Sequence, residues 1–312
     1  MKAKFNSAFI RRVSKNFFDT LRAPLPGERF LTPRARYFII PLFLRGDTKM
    51  ITIAQYFGFE ADPRQAEGFL SWQHLLYVTL MIALAVFLAV FFGKRNRNRD
   101  EKSKLKVLKV AAIMMVGFEI FKIVLISIRN SDPWNIRGML PLFLCSIHLI
   151  TMPLAAFTRG KLQKLSQVFL FIYGGICCIG GTYLAANYFG NSPVLSFDPM
   201  VSVTTHCISG FASVYVAVSG LVKWNTKRAL LSISLLVGFM LLALAANKWN
   251  EPTGYESNYM FLSNSAGTPF EICNTIVGGN QVLYSLFVAF LYIAWGLMFI
   301  AVCTLLNRRK NR

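Results

Sequence analysis

The chemistry in this chain is carried by a thiol, an imidazole and a carboxylate–ammonium pair set in apolar surroundings. Cys145, His206, Glu119 and Lys122 all fall inside long hydrophobic stretches. A polar group in hydrocarbon is costly, so each such residue is a candidate for function. A neutral imidazole can take the proton of a neighbouring thiol and hold the thiolate as an ion pair, which makes a nucleophile for acyl transfer. Glu119 and Lys122 are three residues apart, so they share a helix face and can neutralise each other. The Glu119 carboxylate could also orient His206, as the third member of a nucleophile–base–acid set. Every one of these residues has a plainer reading. Cys145 alone behaves as a small apolar packing residue. His206 alone can bond a backbone carbonyl, and Glu119–Lys122 can be a packing device. His148, one turn after Cys145, either orients the thiol or faces another helix. What joins them is a shared depth, and depth is set by the elements that carry them.

Of the 312 residues 54% are hydrophobic and only 15% charged, and the apolar residues come in long runs. Runs of about 20 residues span a bilayer core. The expected fold is all-α: a polytopic membrane helix bundle of about seven transmembrane helices over 72–93, 107–128, 139–157, 165–186, 199–222, 228–247 and 281–306. Charge then orients it. The segments 94–106, 158–164 and 223–228 and the C-terminus together hold seventeen Lys or Arg. The segments on the other side hold three, Arg129, Arg137 and Lys248. The basic side is expected to be cytoplasmic, with the C-terminus on it. The expected division is a basic tail over 1–70, the bundle over 71–307 and a basic cytoplasmic tail over 308–312.

On that topology the third and fifth spans both enter from the outer side. Cys145 lies about six residues into one and His206 about seven into the other, so both are about 10 Å deep at 1.5 Å per residue. The second span runs outward and puts Lys122 about six residues, and Glu119 about nine, before its outer end. His74 opens the first span and Asn247 closes the sixth at that face; His148 lies deepest of the three histidines. The outer loop 248–280, with Asn258-Tyr259-Met260-Phe261-Leu262, has the length of a lid or substrate contact, or is an interfacial segment anchored by aromatics. Gly174, Gly175, Gly180 and Gly181 on the fourth span read as helix-packing positions.

The net charge of +20 raises the possibility of a nucleic-acid partner, but membrane orientation accounts for the loops and the C-terminus, and no nucleic acid is expected. Residues 1–49 carry eleven Lys or Arg, and Phe9, Val13, Phe17 and Leu21 are each four apart. That pattern reads either as a basic amphipathic helix on an anionic lipid surface or as a solvated arm. No apolar core with a small-residue cleavage site occurs in the first thirty residues, so no signal peptide is expected. The six cysteines show neither CxxC pairs nor zinc spacing, and no metal or cofactor is implied. GxSxG, HExxH, P-loop and dinucleotide fingerprints are missing, which removes the ATP-driven and serine-hydrolase classes.

Leu140-Pro141-Leu142-Phe143-Leu144-Cys145-Ser146 resembles the LPLxxCS segment of the YwaF-type integral membrane protein family. Glu119-xx-Lys122 before it, and His206 with the later Tyr215, resemble further family marks. So do Asn247 and then Asn258-Tyr259-Met260-Phe261-Leu262. The ordered likeness runs from about His74 to Leu262. That family is similar to a mammalian branch of multi-pass membrane proteins that acylate ether phospholipids through a cysteine and a histidine. The resemblance implies that Cys145 and His206 form an acyl-transfer pair, the same two residues the depth argument selects.

The expected function is therefore a cysteine-dependent phospholipid acyltransferase or lipid hydrolase near the outer face of the bilayer. Cys145 and His206 are catalytic, supported by Glu119, Lys122, His148, Asn247, Asn258 and Tyr259. Asn258 or Tyr259 is a candidate donor to the oxyanion. The alternatives are a small-solute or ion transporter and a non-catalytic partner subunit. The expected location is a bacterial plasma membrane. Lipid class, acceptor and oligomeric state are not legible.

Overall fold

The computed structural model describes residues 51–131, 137–253, 257–265, 268 and 270–310. The amphipathic pattern of the N-terminal tail lies outside them. Ten α-helices make up the described chain: α1 Ile53–Tyr56, α2 Trp72–Asn96, α3 Glu101–Arg129, α4 His148–Phe157, α5 Gly160–Tyr183, α6 Ala186–Phe189, α7 Phe197–Val218, α8 Thr226–Asn250, α9 Glu271–Ile276 and α10 Gln281–Lys310. No strand occurs among the described residues. Among the described residues, six helices are long and apolar enough to cross a membrane.

The long helices start and stop where local chemistry asks. Ser71 accepts a hydrogen bond from the His74 N–H and caps α2, and Asn225 accepts one from the Arg228 N–H and caps α8. Lys94 and Arg95 close α2, Arg129 closes α3 and Lys248 closes α8, cations set against the negative ends of the helix dipoles.

Helices α5 and α7 form the centre, with 56% and 61% of their apolar windows buried against 17% for α2, α3 and α10. They approach closely because their contact faces lack bulk. A Cβ at Gly174 would meet the Ser209 carbonyl oxygen at 2.8 Å, and one at Gly210 would meet the Cys178 sulfur at 2.7 Å. The outer helices turn large apolar side chains such as Leu80, Phe87, Ile113, Leu241 and Phe290 outward. In a bilayer those faces meet lipid.

The third expected span, 139–157, is helical only from His148. Pro141 has no N–H to give a helix and biases Leu140 toward extended backbone. The irregular stretch survives inside the bundle because its polar backbone finds partners, as irregular backbone at membrane depth must. The Leu140 N–H donates to the Tyr259 hydroxyl at 3.0 Å, the Phe143 N–H to Ser146 Oγ at 2.9 Å, and the Cys177 thiol to the Leu144 carbonyl at 3.4 Å. The Arg137 carbonyl, at its start, accepts from both the Tyr259 hydroxyl and Asn250 Nδ2. The far end of α4 reaches the basic end of the bundle, where Lys109 of α3 lies over the Phe157 ring. At that end Lys164 pairs with Glu101 at 2.6 Å, and the Tyr215 hydroxyl donates to the Lys104 carbonyl at 2.8 Å.

Candidate active site

Cys145 sits in the irregular stretch, three residues before α4, and is partly buried. Its thiol lies close to the ring of His206, in the first half of α7, near enough for the two to interact. The ring is fixed from two sides. Nδ1 lies 2.6 Å from the Ser202 carbonyl oxygen, one turn back on the same helix. A carbonyl only accepts, so Nδ1 carries the proton and Nε2 keeps a free lone pair that can take another. Against the Cδ2–Nε2 edge lies Gly181 of α5, where an added Cβ would stand 1.9 Å from Cδ2 and 2.0 Å from Nε2. The α5 backbone around Gly181 is held in turn by His74, whose Nε2 donates to the Thr182 carbonyl at 3.0 Å while its ring stacks on Phe189 at 3.8 Å.

The ion pair of α3 completes the surroundings. Lys122 Nζ is 2.6 Å from Glu119 Oε1, with both side chains largely buried. Lys122 acts electrostatically on Cys145, so it favours negative charge at the sulfur, and Tyr188 of α6 lies near Lys122, Glu119 and Cys145 alike. Glu119 therefore serves Lys122, and the orienting partner of His206 is a backbone carbonyl. Arg129, two turns beyond Lys122 on α3, pairs with Asp198 at 2.9 Å. That pair lines a polar pocket of about 260 Å³ together with Tyr56, Asp62, Arg64 and Asn191. The polar pocket lies at the end of the bundle opposite the basic one.

The remaining sequence candidates fall in two groups. His148 is fully buried, close enough to His206 to interact with it, and neither of its ring nitrogens has a hydrogen-bond partner. Asn247, Asn258 and Tyr259 spend their hydrogen bonds on the loop. Asn247 Nδ2 donates to the Tyr259 carbonyl at 3.2 Å and Oδ1 accepts the Tyr259 N–H at 2.8 Å. Asn258 Oδ1 accepts the N–H groups of Ser263 and Asn264, and its Nδ2 donates to the Asn264 carbonyl. Tyr259 reaches the site through backbone, as the partner of Leu140 and Arg137.

Three contributors escaped the sequence: the Ser202 carbonyl, Gly181 and Tyr188. A carbonyl four residues before a helical histidine was the one available signal for Ser202. Gly181 was visible as a small residue, with nothing to mark it as the seat of the ring.

The TMEM164 family model matches residues 69–299, the stretch that holds Cys145, His206 and the Lys122–Glu119 pair. The chain belongs to the TMEM164 family. With six helices among the described residues long and apolar enough to cross a membrane, it is a multi-pass integral membrane protein. The match begins just before His74 and leaves the basic tail outside, as the YwaF-type likeness does. No curated protein and no solved structure matches the chain.

Proposed function

We propose that this TMEM164-family protein is a cysteine-dependent phospholipid acyltransferase or lipid hydrolase. One observation carries the reading: the Cys145 thiol meets the ring of a histidine whose other nitrogen is committed to a carbonyl. His206 Nε2 takes the thiol proton, and the sulfur attacks an ester carbonyl carbon of a membrane phospholipid. A C–S bond forms, the C–O bond of the ester breaks, and the proton on Nε2 passes to the departing alcohol oxygen. The acyl group then stands as a thioester on Cys145. An acceptor hydroxyl, of a lysolipid or of water, gives its proton to Nε2 and attacks the thioester, which frees the thiol. Lys122 stabilises the charge on sulfur at the start and end of the cycle. The proposed site works on the outer leaflet of a bacterial plasma membrane, where a depth of about 10 Å meets the ester region of a lipid rather than its chain ends. The tail, with its basic amphipathic pattern, is proposed to lie on anionic lipid.

Intact-protein mass spectrometry after incubation with phospholipid tests this directly. A hydroxylamine-labile acyl mass on the native chain, absent from Cys145→Ala, is the expected result. An unmodified native chain across several lipids, with Cys145 alkylating no faster than Cys303, would overturn it.

A second reading, a path for an ion or small solute, draws on a different observation. Thr151, Ser166 and Gln167 are fully buried on the basic side of His148, and each has a polar atom without a partner. Saturable flux in proteoliposomes that persists in Cys145→Ala would favour the path.

A further inference from the structure

A second cavity, of about 210 Å³, adjoins the reacting pair and is lined by Leu144, Tyr173, Ile176, Leu291, Tyr292 and Trp295. Its walls are almost wholly apolar. It begins beside the nucleophile: Leu144, on its wall, is bonded to Cys145, and Tyr292, also on its wall, is close enough to Cys145 to interact with it. It then runs inward. Tyr173 and Ile176 precede Cys177 on α5, on the side that leads toward the middle of the bundle and away from the polar pocket. It opens sideways, because Leu291 is 36% exposed and borders the outward-facing Phe290 on α10. The space is held open by its own walls. Trp295 Nε1 donates to the Ile172 carbonyl and the Tyr292 hydroxyl to the Met260 carbonyl, both at 3.3 Å, so neither ring is free to fold in.

We propose that this cavity seats the alkyl chain of the acyl group carried on Cys145. The inference rests on the thioester reading and adds to it the site that selects the chain. The polar pocket, with Arg64, Arg129, Asp62 and Asp198 on its walls, suits no alkyl chain. The apolar cavity borders the residue next to the nucleophile, points down the direction an outer-leaflet chain already takes, and opens to hydrocarbon. A chain leaving lipid for this cavity gains little from the hydrophobic effect, since both are apolar. Discrimination therefore comes from fit, through contacts made or forbidden by the walls.

The full-length protein is reconstituted in discs of a dialkyl lipid, which has no ester to donate. It is then given phosphatidylcholine bearing either octanoyl or palmitoyl chains, and acyl-Cys145 is measured by mass spectrometry. Leu291→Trp fills the mouth from an exposed position, so it spares the core. It is expected to lower the palmitoyl-to-octanoyl loading ratio about tenfold, the lower end of what one methylene is worth in a shaped apolar pocket. Leu241→Trp, on an outward face of α8 away from the cavity, is expected to leave the ratio at its native value. A native ratio in Leu291→Trp, with thioester still forming on Cys145, would overturn the cavity and leave the catalytic reading standing. No thioester on the native chain with either donor would overturn both.

Discussion

Gly181→Ala isolates the contact on which the proposed catalytic pair depends. The new Cβ would stand 1.9 Å from His206 Cδ2, whereas ordinary contact begins at 3.4 Å, so the ring must retreat by about 1.5 Å. It has little freedom to do so, because Nδ1 is held 2.6 Å from the Ser202 carbonyl. A retreat of that size stretches or breaks this bond, at a net cost of about 0.5–1.5 kcal/mol. It also takes Nε2 away from the Cys145 sulfur. A misplacement of about 1 Å can cost 10²-fold in rate, and loss of general base catalysis costs about 10²–10⁴-fold. Gly181→Ala is therefore expected to lower acyl loading of Cys145 by at least about 100-fold. Cys145 alkylation at neutral pH should slow in parallel. Gly180→Ala is the control, since a Cβ there meets nothing within 4 Å. Native loading and native alkylation in a folded Gly181→Ala protein would refute the reasoning, because the ring would then be in place for reasons other than this glycine.

Breaking the buried Lys122–Glu119 pair should be costly. Lys122→Met or Glu119→Gln alone is expected to destabilise by about 3–5 kcal/mol, whereas the double variant recovers most of the loss, as thermal unfolding in detergent would show. Asn247→Ala leaves the Tyr259 N–H unpaired in a buried setting, at about 1–3 kcal/mol, although the Tyr259 carbonyl keeps the Leu262 N–H; Asn258→Ala, with hydrogen bonds confined to its own loop, should cost under about 1 kcal/mol by the same measurement. Near the polar pocket, burial pushes the Asp62 carboxyl up, but the hydrogen bonds and charge of Arg64 outweigh it and hold the group below the usual carboxylate range. A carboxyl lowered on folding stabilises above its unfolded pKa of about 3.9, and that contribution is lost as pH falls through the folded value. Asp62→Asn should thus melt below the native protein near about pH 7, with the gap closing toward about pH 3.

The helical architecture was legible because apolar runs of membrane length and the charge of their connections are one-dimensional signals. The same signals brought Cys145 and His206 to one depth, and the structure sets them side by side. What could not be read is what depends on lateral position. His206 faces Cys145 rather than lipid because Gly181 of a third helix leaves room for its ring, and no pattern within one helix reports that. Of the two readings of Glu119, the structure shows the pairing with Lys122. A carboxylate three residues from a lysine is satisfied locally, whereas the acceptor for His206 is a backbone carbonyl, which no residue type advertises. The third span showed full apolar length, yet Pro141 and the partners waiting at Ser146, Tyr259 and Cys177 make half of it irregular.

During synthesis, the stretch from Leu140 enters the membrane long before the groups that satisfy it exist. The Tyr259 hydroxyl, which receives the Leu140 N–H, follows 119 residues later. At about 5–20 residues per second that is roughly 6–24 s of translation. Until then the backbone beside the nucleophile must borrow water or a chaperone for its hydrogen bonds. The stretch around Cys145 is thus completed only after α8, the fifth membrane-length helix among the described residues, has emerged. A nascent chain stopped short of Tyr259 would hold both Cys145 and His206 and still carry an unfinished site.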